Sequence, residues 1–204
     1  NRDILNVIFG GMATPAPKKN PDGIEEAPKE HRETNADQTA ALLLDSKEVV
    51  IVPGYGMAVS QAQRAVADIA KTLVEKDIKV KFSIHPVAGR MPGQMNVLLA
   101  EAGVPYEWVL EMDECQDDMP NADVCLVVGA NDTTNMAAET DEDCSIYGMP
   151  VIKVWESKNC IFLKRSMAGG YADLENPVFF LEQTQMLLGD GKKSCEEIAA
   201  ALRR

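Results

Sequence analysis

The chain has 204 residues, of which 46% are hydrophobic and 25% are charged, a composition typical of a globular domain with a sizeable core. Its 32 acidic and 20 basic residues give a formal net charge of −12, which argues against nucleic acid as the main partner because phosphate backbones attract basic surfaces. No stretch approaches the roughly 20 apolar residues of a membrane-spanning helix. Five cysteines without a C-x-x-C pair and two distant histidines predict buried thiols and no metal site.

The negative charge is concentrated in one part of the chain. Residues 101–143, called the acidic segment below, contain thirteen Asp and Glu and no Lys or Arg. The remaining residues carry 20 bases and 19 acids and are therefore almost neutral. We expect a dipolar domain, with most of the acids away from any site that binds an anion.

The first residues have the composition of a linker. Four prolines lie among Lys, Glu and Gly between residues 12 and 32, a mixture that cannot bury a core. The short apolar patch at residues 4–9 is expected to be the tail of a preceding helix, so the chain is expected to be cut from a longer protein. We predict a largely flexible linker at residues 1–33 and one folded domain at residues 34–204.

From residue 34 onward the pattern alternates between helix and strand. The predicted helices cover residues 34–44, 58–73, 96–102 and 194–202, and the predicted strands cover residues 49–52, 80–84, 106–110, 124–128, 151–155 and 161–163. Because the strands are apolar on both faces, we predict an α/β fold, a Rossmann-like doubly wound parallel β-sheet with helices on both faces. Ligands of such sheets bind beyond the carboxyl ends of the strands.

The first strand ends in Gly54-Tyr55-Gly56, directly before a predicted helix. This is the context of a dinucleotide fingerprint, in which glycine lets the backbone approach a pyrophosphate, although Val59 replaces the third glycine. An ordinary strand–helix turn is the alternative. The second strand ends at His85 without the usual ribose-binding acid, and Asp77 precedes that strand, which disfavours NAD and leaves room for a 2′-phosphate.

The loop after the second strand contains two prolines, two glycines and one cation, Arg90. Such a stiff loop favours binding of a phosphate or carboxylate by the guanidinium group. The alternative is an ordinary surface arginine without a binding role. His85, at the start of this loop, is interpreted as either a site residue or a hydrogen-bonded structural residue, and no catalytic role is assigned to it.

Two later strand ends carry further polar residues. Gly129 to Asn135 contain small and amide side chains with one carboxylate, Asp132, and form either a ligand-binding loop or an Asx-rich turn that caps the next helix. Lys164-Arg165-Ser166 would hold a phosphate, and the glycine-rich stretch up to Tyr171 would fold over the ligand. An ordinary solvent-exposed Lys-Arg pair is the alternative, and the position of the pair at the same edge as the other loops favours the phosphate site. The four loops together predict a site for a phosphate-rich nucleotide.

Six motifs in a consistent order now resemble one family. The chain is similar to the NADP(H)-binding domain (domain III) of proton-translocating nicotinamide nucleotide transhydrogenase. The resemblance begins at about Asp45 and is carried by residues 54–59 (GYGMAV), 85–93 (HPVAGRMPG), 96–102 (NVLLAEA), 129–133 (GANDT), 147–151 (YGMPV) and 164–166 (KRS).

The resemblance implies NADP(H) bound in a flipped orientation and an NAD(H)-binding domain as partner. Hydride would pass directly between the two nicotinamides, so no catalytic residue is expected, and the chain alone would be inactive. A membrane domain would couple the reaction to proton translocation, with Asp132 as a candidate in that coupling. The full enzyme would be a dimeric complex in an inner or plasma membrane, with this chain as a soluble lobe on the cytoplasmic or organellar matrix side.

The resemblance also implies a set of cofactor-binding residues. Lys164, Arg165 and Ser166 would hold the 2′-phosphate, and residues 129–133 would line the nicotinamide side. Asp190-Gly191 matches the last binding segment, where the family pattern is commonly Asp-Ala, so the rigidity of this contact is open. The expected residues are Gly54, Tyr55, Gly56, Met57, Ala58, Val59, Val87, Ala88, Gly89, Arg90, Met91, Pro92, Gly129, Ala130, Asn131, Asp132, Thr133, Gly148, Met149, Lys164, Arg165, Ser166, Met167, Ala168, Gly169, Gly170, Tyr171, Asp190 and Gly191.

Two other functions are compatible with a nucleotide site. A non-enzymatic NADP(H)-binding sensor module would show the same loops. A stand-alone NADP-dependent dehydrogenase is disfavoured, because the sequence offers no Tyr-x-x-x-Lys, Ser-His or metal-binding set that would supply an acid or base to a substrate.

Overall fold

The computed structural model describes residues 29–167 and 174–204, and the fold below is that of the unit His31–Arg204. Most of the predicted linker, including the apolar patch at residues 4–9, lies outside the described residues, as do the predicted site residues Ala168, Gly169, Gly170 and Tyr171. Within the described ranges, no helix has the length and apolar character needed to cross a membrane.

Helices and strands alternate along the described chain, as the sequence predicts. The helices are α1 (Ala36–Leu44), α2 (Tyr55–Ser60), α3 (Gln63–Glu75), α4 (Gln94–Glu101), α5 (Met112–Cys115), α6 (Ala137–Thr140) and α7 (Gly191–Leu202). The strands are β1 (Glu48–Pro53), β2 (Lys79–Ile84), β3 (Val109–Glu111), β4 (Val124–Val128), β5 (Cys160–Lys164) and β6 (Thr184–Leu188). Short 3₁₀ segments cover Tyr106–Trp108, Gln116–Asn121, Asp132–Thr134, Val154–Glu156 and Pro177–Phe180.

The six strands form one sheet in the order β3-β2-β1-β4-β5-β6, and every neighbouring pair is parallel. Val50 lies opposite Lys81 of β2 on one side and opposite Cys125 of β4 on the other. This order confirms the predicted Rossmann-like sheet. The direction in which successive strands are added reverses between β1 and β4, and it is at this reversal that doubly wound sheets bind nucleotides.

Both faces of the sheet are buried because the central strands are apolar at every position. In β1, Val49 and Ile51 pack into the core beneath α1, α3, α4 and α7. Val50 and Val52 face a second core formed with Met119, Ile152, Phe162 and Phe179. Burial on both faces explains why these strands show no alternation of apolar and polar residues.

The predicted helix over residues 58–73 is interrupted in the structure. Gln61 adopts a left-handed conformation with φ of 56°, which ends α2, and α3 begins two residues later. The Ser60 hydroxyl donates to the carbonyl of Gly56 at 2.9 Å, an interaction that competes with continued helix. The apolar periodicity does not indicate this break, because Ala62 and Ala65, which follow it, are buried as they would be in a continuous helix.

Three of the strands differ from the prediction. The strand predicted at residues 151–155 is wrong: Val151, Ile152 and Val154 are buried, but β4 pairs directly with β5, so this segment packs on a face of the sheet instead. Conversely, β6 was not predicted, because its sequence TQMLL lacks a β-branched run. The strand predicted at 106–110 begins only at Val109, after a 3₁₀ turn.

The turn after β1 and the turn after β4 contact each other backbone to backbone. The amide of Gly56 donates to the carbonyl of Gly129 at 2.9 Å. A Cβ atom at Gly54 would lie 2.5 Å from the Gly129 oxygen, and one at Gly129 would lie 2.5 Å from the Gly56 carbonyl carbon. Gly129 also has a φ of +69°. The glycines therefore allow the close approach of two protein backbones at the reversal in strand order.

The substitution Gly129→Ala is expected to lower the free energy of unfolding by about 3 kcal/mol or more, since it adds a backbone clash to the cost of a left-handed alanine. Gly93→Ala is the matched control, because Gly93 has a φ of +78° but no atom within 4 Å of an added Cβ. It should cost only about 1–2 kcal/mol. Urea unfolding measures both, and equal losses would contradict the steric explanation.

Candidate active site

Backbone hydrogen bonds connect the loops at the carboxyl ends of four neighbouring strands. The amide of Gly54 donates a hydrogen bond to the carbonyl of Val128 at 2.9 Å, and the amide of Gly129 donates to the carbonyl of Leu163 at 3.2 Å. The amide of Gly189, after β6, donates to Lys164 at 2.9 Å. The sheet thus continues one residue beyond the regular strands, and the predicted binding loops stand side by side along its edge.

The loop after β2 contacts the loop after β1 through a cation–π interaction. The Arg90 guanidinium carbon lies 4.9 Å from the centroid of the exposed Tyr55 ring. The Gln94 side chain holds this loop by accepting a hydrogen bond from the Arg90 amide at 2.8 Å. Of the other predicted residues here, Val87, Met91 and Pro92 are exposed, whereas Ala88 is buried. Arg90 is therefore presented at the surface of the edge in a restrained loop.

His85 joins this loop to a more distant one. Its Nε2 lies 2.6 Å from the Pro150 carbonyl, and its Nδ1 accepts a hydrogen bond from the Val87 amide at 3.1 Å. Both ring nitrogens of this buried side chain are satisfied, which supports its interpretation as a structural residue. Pro150 follows Gly148 and Met149, and these three residues line an open depression with a volume of about 320 Å³.

The loop after β4 forms a 3₁₀ turn over Asp132–Thr134. The Thr134 hydroxyl donates to the Asn131 carbonyl at 3.0 Å, and the Ile152 amide donates to the Thr133 carbonyl at 2.9 Å. Asn135 Oδ1 accepts a hydrogen bond from the Ala137 amide at 2.9 Å, which forms an Asx-turn directly before α6. The Asx-rich turn predicted as an alternative to a binding loop is therefore present here, although the cap residue of α6 is Met136. Within the described ranges, Asn131 Oδ1 and Thr133 Oγ1 are buried and make no hydrogen bond. Such atoms suit a polar ligand.

Lys164, the last residue of β5, lies between an aromatic ring and a carboxylate. Its ammonium nitrogen is 4.5 Å from the centroid of the Phe179 ring. Burial lowers the pKa of Lys164, and the nearby charge of Asp132 opposes this shift. Arg165 and Ser166 follow as exposed residues.

The expected separation of the acidic segment from the cations predicted to bind phosphate is wrong at one residue. Asp132 belongs to that segment, and it lies close enough to Lys164 to influence its pKa. Other acids of the segment pair elsewhere: Asp118 with Lys81, and Asp123 with Lys158 at 3.1 Å. Asp123 precedes β4 at the amino edge of the sheet, where hydrogen bonds from the amides of residues 47 and 48 help lower its pKa.

The last predicted segment is the start of α7. Asp190 caps this helix by accepting a hydrogen bond from the Lys193 amide at 2.8 Å. A Cβ atom on Gly191 would lie 2.8 Å from Ser60 Oγ, so α7 begins against the end of α2. The glycine at this position permits that approach, and an alanine would require Ser60 to shift.

The structure thus gathers the described members of the predicted site at one edge of the sheet. Arg90, Lys164 and Arg165 place positive charge at this edge, and the unpaired oxygens of Asn131 and Thr133 add polar groups. This donor set fits a dinucleotide carrying an additional phosphate. Among residues 29–167 and 174–204, no group of three or more His, Cys, Asp or Glu side chains has metal-binding geometry.

Comparison with known proteins identifies the family. Residues 1–201 match the family model described as NAD(P) transhydrogenase beta subunit. The chain belongs to this family. It is 47% identical over 202 residues to the NAD(P) transhydrogenase subunit beta of Rhodospirillum rubrum, and a second relative of the same description, from a named strain of that organism, gives the same values. The match covers 99% of this chain and 43% of each relative, so the chain spans less than half the length of these transhydrogenase subunits.

Solved structures of low sequence identity share the fold of this chain. A Sir2 homolog–NAD complex superimposes with a TM-score of 0.56 at 11% identity, covering 85% of this chain and 96% of that one. A Sir2 mutant in complex with 2′-O-acetyl ADP ribose gives a TM-score of 0.53 at 12% identity, covering 81% and 96%. At these identities the likeness supports the Rossmann-like fold alone.

Several contacts at this edge are not predicted from the sequence. Pro150 accepts the His85 hydrogen bond, Phe179 packs on Lys164, and Asn176 hydrogen-bonds to the turn after β4. One signal was available for Asn176, since an Asn directly before Pro177 is typical of a helix start. The other two contacts join residues that are far apart in sequence, and no local pattern indicates them.

Proposed function

We propose that this chain is the NADP(H)-binding component of a proton-translocating nicotinamide nucleotide transhydrogenase. The observation that carries the proposal is that the carboxyl ends of neighbouring parallel strands, on both sides of the reversal in strand order, are followed by Arg90 after β2, the polar turn after β4, and Lys164 and Arg165 at the end of β5. The chain also belongs to the transhydrogenase beta subunit family. NADP(H) would bind along this edge, and an NAD(H)-binding domain would dock over it.

Lys164, Arg165 and Ser166 are proposed to hold the 2′-phosphate of the nucleotide. Their position at the end of a central strand supports this role, because pairing of β5 with β4 and β6 fixes the backbone at Lys164. Arg90 is proposed to lie near the pyrophosphate, held by the Tyr55 ring and by Gln94. Charge-assisted hydrogen bonds from fixed cations discriminate strongly between phosphorylated and unphosphorylated ligands.

Residues 129–133 are proposed to line the nicotinamide. When bound, the nicotinamide ring supplies the hydride chemistry, and the protein contributes binding and orientation. Asn131 Oδ1 and Thr133 Oγ1 would hydrogen-bond to the nicotinamide half, which removes the cost of leaving these buried atoms unpaired. No side chain is assigned as catalytic acid or base.

Coupling to proton translocation is proposed to act through NADP(H) affinity. Asp132 is the candidate for this coupling, because its negative charge raises the pKa of Lys164, a proposed phosphate ligand. The proton-translocating membrane domain is proposed as a partner, and the full enzyme is proposed to be dimeric, because the chain belongs to the transhydrogenase beta subunit family. The chain would stand on the cytoplasmic or matrix side of the membrane.

A hydride-transfer assay tests the proposal. The chain is mixed with the NAD(H)-binding domain of a transhydrogenase, NADH and an oxidised NADP analogue, and absorbance reports transfer to the analogue. We expect transfer only when both proteins are present, and no oxidation of alcohols by the chain alone. Tight NADP(H) binding without transfer to the partner's nucleotide would instead favour a sensor function.

The double variant Lys164→Ala/Arg165→Ala is expected to reduce the preference for NADP⁺ over NAD⁺ by about 100-fold or more, because two charge-assisted contacts to the 2′-phosphate are lost. Calorimetric titration with both nucleotides measures this ratio. Lys158→Ala, at the amino edge, is the matched control and should leave the ratio unchanged. An unchanged ratio in the double variant would contradict the 2′-phosphate assignment.

NADPH affinity is expected to fall as the pH rises through the lowered pKa of Lys164, because only the ammonium form attracts the phosphate dianion. Fluorescence titrations of NADPH between neutral and alkaline pH follow this decrease. Lys164→Arg keeps its charge throughout and should abolish the decrease.

The variant Asp132→Asn provides a second arm of the same titration. The negative charge of Asp132 raises the pKa of Lys164. Its removal should therefore lower that pKa further, so the decrease in affinity should occur at lower pH. If Asp132→Asn left NADPH affinity and its pH dependence unchanged, the role of Asp132 in coupling would be abandoned. A decrease that persists in Lys164→Arg would exclude Lys164 as its origin.

A further inference from the structure

Two asparagines at the carboxyl edge are completely buried and connect distant parts of the chain. Asn135 follows the 3₁₀ turn after β4, and Asn176 immediately precedes the 3₁₀ segment Pro177–Phe180. Their side chains bind each other's backbone segments, and we call this pair the asparagine clasp. Buried amides are costly unless every polar atom finds a partner, so the arrangement requires an explanation.

The hydrogen bonds of the clasp are reciprocal. Asn135 Nδ2 donates to the Glu175 carbonyl at 3.1 Å, and Asn176 Nδ2 donates to the Thr134 carbonyl at 3.3 Å. Each Oδ1 atom also accepts a backbone amide two residues along its own segment, from Ala137 at 2.9 Å and from Val178 at 3.1 Å. Each asparagine therefore forms an Asx-turn in its own segment and holds the other segment in place.

The two joined segments contain different parts of the proposed site. One contains Asn131, Asp132 and Thr133, and the other contains Phe179, the ring on which Lys164 packs. Lys164 is itself fixed by the sheet, through pairing with β6 and the hydrogen bond from Gly189. The turn at residues 131–135 is not part of a strand, so its position depends on loop contacts such as the clasp.

We propose that Asn135 and Asn176 are positioning residues, which hold the turn at residues 131–135 so that Asn131 and Thr133 face the nicotinamide half of the nucleotide. This inference rests on the proposed function. Different elements of the protein would then position the two halves of the nucleotide. The clasp positions the residues on the nicotinamide side, whereas the end of β5 positions those on the 2′-phosphate side.

The test uses the variants Asn135→Ser and Asn176→Ser. A serine hydroxyl still accepts the amide two residues along its own segment but is too short to reach the opposite carbonyl. Asn35→Ser is the matched control, because the Asn35 side chain also accepts a local backbone amide, that of Gln38 at 2.8 Å, but is exposed and caps α1 away from the clasp. Calorimetry measures the affinity of each variant for NADP⁺ and for adenosine 2′,5′-bisphosphate, which lacks the nicotinamide half.

We expect each clasp variant to lose about tenfold in NADP⁺ affinity, the usual effect of one hydrogen bond. The affinity for adenosine 2′,5′-bisphosphate should change less than about twofold, and Asn35→Ser should match the unsubstituted chain for both ligands. Unchanged NADP⁺ affinity in folded clasp variants would overturn the inference. An equal loss for both ligands would also overturn it, since it would indicate a general structural role.

Hydrogen exchange in the unsubstituted chain decides the question if the variants fail to fold. The side-chain amide protons of Asn135 and Asn176, followed by NMR, should exchange more slowly together when NADP⁺ saturates the chain, and not when adenosine 2′,5′-bisphosphate does. Equal protection by both ligands, or by neither, would overturn the inference. If the unsubstituted chain fails to bind NADP⁺ at all, the proposed function itself falls, together with the positioning role that rests on it.

Discussion

The close backbone contact between the turns after β1 and β4 is the constraint on which the rest of the site depends. Gly56 and Gly129 approach so closely that no side chain fits at Gly54 or Gly129. This contact lies where the order of strand addition reverses, and it brings the loops after two central strands into one edge. The glycines of a dinucleotide fingerprint thus serve the protein's own packing here, in addition to any approach of a nucleotide.

The sequence predicts those elements whose own composition determines their structure. β1 and β4 are apolar and β-branched because both faces are buried, and this pattern is visible without a structure. The segment at residues 151–155 is also apolar apart from Lys153, yet it packs on a face of the sheet, and the direct pairing of β4 with β5 leaves no place for it as a strand between them. Gln61 interrupts a helix whose apolar positions continue across the break, so periodicity alone cannot locate this end.

The site is predictable in its components but less so in their contacts. Glycines, cations and amides at strand ends are visible in the sequence, and most of the predicted residues lie at one edge of the sheet. The contacts of His85 with Pro150 and of Lys164 with Phe179 join residues that are separated along the chain. The proximity of Asp132 to Lys164 also contradicts a complete separation of the acidic segment from the cations, although its other pairs lie elsewhere.

The most direct test of the central claim is amide chemical-shift mapping of the chain during titration with NADP⁺. The account predicts that the largest changes occur in three loops at the carboxyl edge, and that the amino edge near Asp123 and Lys158 does not respond. NAD⁺ at the same concentration should leave residues 164–166 unperturbed. Largest changes at the amino edge, or none at saturating NADP⁺, would contradict the account. The loops predicted to respond are residues 54–57, 129–133 and 164–166.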